Sequence, residues 1–168
     1  MIHYLLLSVK ALLAAVVAAF AAALVVAAAA TARAQGKEMK VENWNCWGGT
    51  AILIAPVKDT VLATYQLTGT TRSVTPGGFL DGSSFECIGS SEVIAGAVNM
   101  AGHCLVVDKS GDKVWGRTTR NKDEDSFVYL GGTGKYQGIT GKIGYARPVN
   151  YPSPRAGTFT GCALSSGT

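Results

Sequence analysis

The chain has 168 residues, with 15 basic against 11 acidic side chains and a formal net charge of +4. The positive charge is dispersed, so the clustered basic stripe expected of a nucleic-acid-binding domain is missing. The hydrophobic fraction of 48% is inflated by one N-terminal apolar run and does not describe the folded part.

Residues 1–34 read as a targeting segment. A short basic start carrying Lys10 leads into an almost unbroken Ala/Leu/Val run from Ala11 to Ala30, and Ala32-x-Ala34 forms a small-residue cleavage site where that run stops. An uncleaved anchor is the competing reading, because about 20 apolar residues can span a bilayer; membrane contact is expected through this segment alone. No cysteine follows the site directly, which argues against a lipoprotein anchor. The expected mature chain, residues 35–168, keeps 13 basic and 11 acidic residues after Lys10 and Arg33 leave. That suits a single domain with one core, working in the periplasm or secreted.

Past Gln35 the pattern is short β-rich runs punctuated by Gly, Pro, Asn and Asp, which predicts an all-β sandwich or barrel. Strands are expected over 43–47, 50–55, 60–72, 84–94, 98–107, 113–120, 126–130, 140–147 and 157–164. Turn chemistry separates them at Pro56-Val57-Lys58-Asp59, Thr75-Pro76-Gly77-Gly78, Lys109-Ser110-Gly111 and Pro152-Ser153-Pro154. The charged stretch Asn121–Asp125 reads as a solvated loop.

Four cysteines, Cys46, Cys87, Cys104 and Cys162, all follow the export segment, as a disulfide framework would. If Ala95-Gly96 is a two-residue turn, Ile94 pairs with Ala97 and Cys87 falls directly opposite Cys104. Opposed residues of a non-hydrogen-bonded pair approach closely enough for a disulfide. Cys46 is then left to bond Cys162, joining the first strand to the last. Such closure removes sheet edges and favours a barrel. Carried across the next turn, with Asp108 opposite Asp112, the register puts Phe85, Cys87, Val93, Met100, Cys104, Val106 and Val114 on one face. Glu86, Ile88, Glu92, Asn99, His103, Leu105, Lys113, Trp115 and Arg117 take the other. The first face is expected inside, the second outside.

The run Gly131-Gly132-Thr133-Gly134-Lys135-Tyr136-Gln137-Gly138-Ile139-Thr140-Gly141, followed by Lys142-Ile143-Gly144-Tyr145, resembles the late-strand signature of the allene oxide cyclase and dirigent-like barrels. The stretch from His103 to Val114, with its Asp108-x-x-Gly111-Asp112 turn, is similar to a strand–turn–strand in exported bacterial relatives of those barrels. The resemblance implies an eight-stranded antiparallel, calycin-like barrel, often oligomeric. It carries over no catalytic residue.

Candidate chemistry is sparse. His103 is the only histidine after the export segment; it is expected opposite Arg117 with Glu86 one strand further over. That trio suits either an acid–base site or a surface cluster that satisfies its own charges. No Gly-x-Ser-x-Gly elbow is present, and bonded cysteines provide no thiolate. No metal and no cofactor are expected. Asp108-x-Ser110-x-Asp112 opens like a calcium loop, but Lys113 stands where that loop needs glycine. The Gly131–Gly138 run matches neither phosphate-binding glycine motif.

Trp44, Trp47, Tyr65, Tyr129 and Tyr145 are the expected lining of a ligand-holding lumen. Trp44 and Trp47 differ by three positions, so only one of them can face it. The expectation is non-catalytic binding of a small apolar ligand, or of a protein partner or second copy on the Trp115 face. Alternatives are an isomerase or cyclase acting by substrate positioning, and an inhibitor of an exported hydrolase presenting the 150–155 loop.

Overall fold

The computed structural model describes residues 39–168, apart from Pro154 and the side chain of Arg147. The export segment expected over 1–34 lies outside them. The strands are β1 (Val41–Ile54), β2 (Thr60–Ser73), β3 (Ser84–Ile94), β4 (Ala97–Val107), β5 (Lys113–Arg120), β6 (Asp125–Gly132), β7 (Lys142–Tyr151) and β8 (Thr158–Gly167). Each pairs antiparallel with its chain neighbours, and β1 pairs with β8, so the sheet closes into an eight-stranded barrel. Among the described residues, no helix is long and apolar enough to cross a membrane.

Two differences from the strands the sequence suggests stand out, beyond shifts of one to three residues at other ends. The runs 43–47 and 50–55 are one strand, because Gly48 and Gly49 stay paired to β2 on one side and β8 on the other. Glycine weakens a strand but does not end one that has partners on both edges. β7 runs on to Tyr151, with its pairing to β8 interrupted between Ala146 and Val149, where Pro148 cannot donate to the ladder.

The central hairpins follow the expected register. Ala95 and Gly96 both take positive φ, 50° and 84°, as a two-residue hairpin turn of this hand requires. Cys87 stands opposite Cys104 and bonds to it; Cys46 stands opposite Cys162 and bonds to it across the β1–β8 seam. The first bond faces the barrel interior, whereas Cys46 is exposed on the outer wall. Two disulfides are consistent with an oxidising compartment.

The calcium-like stretch is a hairpin turn. Asp108 Oδ1 accepts from the Ser110 and Asp112 backbone amides at 2.8 and 3.0 Å. Its other oxygen accepts from Tyr136 Oη at 3.0 Å and pairs with the Lys135 ammonium. This carboxylate therefore ties the β4–β5 turn to the glycine-rich β6–β7 connection, which winds through a 3-10 turn at Gly134–Tyr136. Lys135 is the largest influence holding Asp108 well below the usual carboxylate range, helped by Ser110 and Tyr136 and opposed by burial. Burial, then the bond to Asp108, pushes the Tyr136 phenol up to about 12.

Because the strands alternate direction, the barrel has two unlike ends. At the end where β1 begins, the β2–β3 loop folds inward. Phe79 sets its ring edge-to-face on Tyr129 and Tyr136, at 5.8 and 5.7 Å between centroids, and Leu80 is buried beside them. With Val41, Val106, Val114, Phe127 and Ile143 these residues plug that end. At the other end, the inward residues Ala51, Val61 and Val93 retain accessible surface. The barrel is plugged at the first end and keeps inward-facing side chains partly accessible at the second, its mouth.

Candidate ligand-binding site

Between plug and mouth lies a cavity of about 290 Å³, enclosed by side chains from all eight strands. At about 30 Å³ for each water in the liquid, that is room for about ten waters or one small organic molecule. Trp47, Tyr65, Tyr129 and Tyr145 line it, as expected. Trp44 does not: it is 38% exposed on the outer wall, because Asn43, Asn45 and Trp47 take the inward positions of β1. Leu67, Phe85, Phe159 and the Cys87–Cys104 bond complete an apolar middle.

Tyr65 lies along the inner wall over two glycines of the neighbouring strands β3 and β4. Gly89 and Gly102 are cross-strand partners on the inner face. A Cβ on them would stand 2.5 and 2.6 Å from the Tyr65 hydroxyl. Tyr145 points into the cavity yet keeps accessible surface, so its ring forms part of the cavity wall. Burial raises the pKa of Tyr65, Tyr129 and Tyr145, the last also through the nearby Tyr129, Asp125 and Tyr65. All three remain neutral phenols at ordinary pH.

Beside Thr118, Asn150, Tyr65 and Tyr145, three sets of polar groups stand on the wall. Asn45 belongs to a satisfied belt across the seam: its amide nitrogen donates to Ser165 Oγ at 2.9 Å, and its oxygen accepts from Thr71 Oγ1 at 2.9 Å. Arg120 and Asp125 pair at the mouthward end, with Arg120 Nε donating to Asp125 Oδ2 at 2.7 Å. Arg120 and Met100 also border a second, more open hollow of about 560 Å³ among the mouth-end halves of β1–β5. Finally, Asn43 Oδ1 and Tyr129 Oη are buried with no hydrogen-bond partner among the described residues.

Sequence reasoning missed the Arg120–Asp125 pair. Arg120 is legible by parity, being two steps of two from Gly116 on the inner face of β5. Asp125 was assigned to a solvated loop with Asn121–Glu124, but it opens β6 and turns inward to meet Arg120. Asn43 and Asn45 gave no signal, since polar residues alternating along a strand are normally read as its outer face.

His103, Arg117 and Glu86 sit exposed on the outer wall. His103 does face Arg117, but Ile88 is its partner on β3, while Glu86 faces Leu105 and accepts from Gln66 Nε2 at 2.6 Å. None of the three lines the cavity. In the 150–155 stretch, Asn150 and Tyr151 belong to β7, and Asn150 also lines the lumen. Comparison with models of protein families and with curated proteins gave no match to this chain.

Proposed function

We propose that this barrel is a non-catalytic binding protein that holds one small apolar or amphipathic molecule in its lumen. The observation that carries the reading is the 290 Å³ cavity, walled largely by aromatic and aliphatic side chains. The outward position of His103, Arg117 and Glu86 supports binding over acid–base catalysis. On the strength of the Gly131–Gly141 run, we also propose kinship with the allene oxide cyclase and dirigent-like barrels. Isomerisation by positioning alone would use the same lumen.

The test is titration with N-phenyl-1-naphthylamine, an uncharged dye that brightens in apolar surroundings. The protein should give a saturable rise. Ala163, 1% exposed and lining the cavity, offers a way to fill it: Ala163→Leu should weaken the rise while melting cooperatively. No saturable rise in the parent, or an equal rise in a folded Ala163→Leu protein, would sink the reading.

A second reading concerns the outer wall. Ile88, Leu105, Trp115 and Leu130 are exposed on adjoining strands β3–β6, with Leu105 directly opposite Trp115. The shift in β5–β6 pairing at Trp115/Gly116 leaves Leu130 without a cross-strand partner. Such a patch suits a protein partner or a second copy. Light scattering on Trp115→Ser and the parent tests self-association: a monomeric parent removes the second copy as occupant.

A further inference from the structure

The lumen is chemically uneven along its length. Its two charged lining residues, Arg120 and Asp125, stand at the mouthward end and already pair with each other. The middle is apolar. Toward the plug stand Asn43 and Tyr129, only 2% and 6% exposed, and each carries a buried oxygen without a partner among the described residues. Native interiors seldom leave such atoms unmet, because an unpaired buried polar group keeps its full desolvation cost. Both residues line the cavity, so they are the wall residues with hydrogen-bonding capacity still to be met.

We infer that the lumen selects an uncharged molecule with an apolar body and, at its inner end, a hydroxyl-like group that both donates and accepts a hydrogen bond. This rests on the lumen-binding reading and narrows it. An ionised ligand would leave water for a wall whose lining charges are engaged with each other, and burying an unpaired ion is prohibitive. A pure hydrocarbon would leave Asn43 and Tyr129 unmet. A hydroxyl accepts from the Tyr129 phenol, which its raised pKa keeps protonated, and donates to the Asn43 amide oxygen. With the amide turned over, it accepts from the nitrogen instead.

Three probes of one skeleton separate the possibilities: propylbenzene, 4-propylphenol and 4-propylbenzoate, titrated by calorimetry into the protein and into Tyr129→Phe. The phenol should bind about 3- to 10-fold more tightly than the hydrocarbon, the size of one net hydrogen bond. Hydrophobicity alone ranks them the other way. The benzoate should bind more weakly than both. In Tyr129→Phe the phenol's advantage should shrink to what Asn43 alone supplies, and the variant should melt no lower than the parent, since it loses a hydroxyl with no partner among the described residues. Equal binding of phenol and hydrocarbon overturns this inference alone, as does a phenol advantage undiminished in Tyr129→Phe. A benzoate preference overturns it by requiring Arg120 to release Asp125. Failure of all three probes to bind overturns the lumen reading with it.

Discussion

The two disulfides differ in the length of chain they close, and this gives a quantitative expectation. Cys87 and Cys104 are 17 positions apart; Cys46 and Cys162 are 116 apart. In the chain-entropy account the short bond stabilises by about 3 kcal/mol and the long one by about 5 kcal/mol. Simple replacement would blur the comparison, because the Cys87–Cys104 sulfurs also pack in the lumen while Cys46 is exposed. The cleaner perturbation keeps the sulfurs and breaks only the bond. In a Cys46→Ala/Cys162→Ala background, urea unfolding with and without reductant reads the short bond alone. A Cys87→Ala/Cys104→Ala background reads the long one. Set against a whole-domain stability of about 5–15 kcal/mol, either loss is large. The long bond also pins the β1–β8 seam, so its reduction should expose two strand edges and promote aggregation. If reduction costs the short-bond protein more than the long-bond protein, loop entropy is not what these bonds supply.

Three further outcomes follow from single positions. Asp108→Asn should destabilise at neutral pH, because it removes the anion that joins Lys135 and Tyr136 to the β4–β5 turn. The parent's Asp108 pKa is depressed, so its contribution is complete above the unfolded value near 4 and is lost as pH falls through the lower folded value. The stability gap between parent and variant in urea should therefore narrow below about pH 4; a gap that stays constant there contradicts the assignment. Phe127→Ala empties a side chain that is buried and set edge-to-face on Tyr129 at 5.2 Å, and should cost about 3–5 kcal/mol by equilibrium unfolding. Ala95→Asn should instead stabilise by about 0.5–1 kcal/mol, since Ala95 holds a left-handed φ that asparagine tolerates better; no rise in Tm would count against the turn.

How far the sequence could be read depended on which physical rule governed each position. A two-residue turn fixes register, and the period of two then fixes faces. That is why Cys87 opposite Cys104, and the inward and outward sets of β3–β5, were legible before any coordinates. On β1 the same rule says only that Trp44 and Trp47 oppose each other. Choosing between them needs knowledge of which side is inside, and Asn43 and Asn45 point the usual polarity rule the wrong way. The plug was hidden for a different reason. The 74–83 loop announces itself through Thr75-Pro76-Gly77-Gly78, but Phe79 and Leu80 just beyond have no periodic context to say that they turn back into the barrel. The extra residue at Leu130 likewise has no local signature, since a bulge depends on the curvature of the closed sheet rather than on a turn residue.

The inverted polarity of β1 bears on function as well as on prediction. A barrel meant only to be filled would put apolar side chains at Asn43 and Asn45, because each buried amide must recover what it loses on leaving water. Asn45 recovers it through Ser165 and Thr71, and Ser165 in turn donates to the Asn43 carbonyl at 3.3 Å. This belt ties β2, β1 and β8 together across the seam from within, as the Cys46–Cys162 bond does from outside. Seam stability therefore accounts for Asn45. It does not account for the Asn43 side-chain oxygen or the Tyr129 hydroxyl, which have no partner among the described residues and belong to residues lining the same cavity. On the proposed binding reading, a molecule in the cavity would supply the partners these two groups lack.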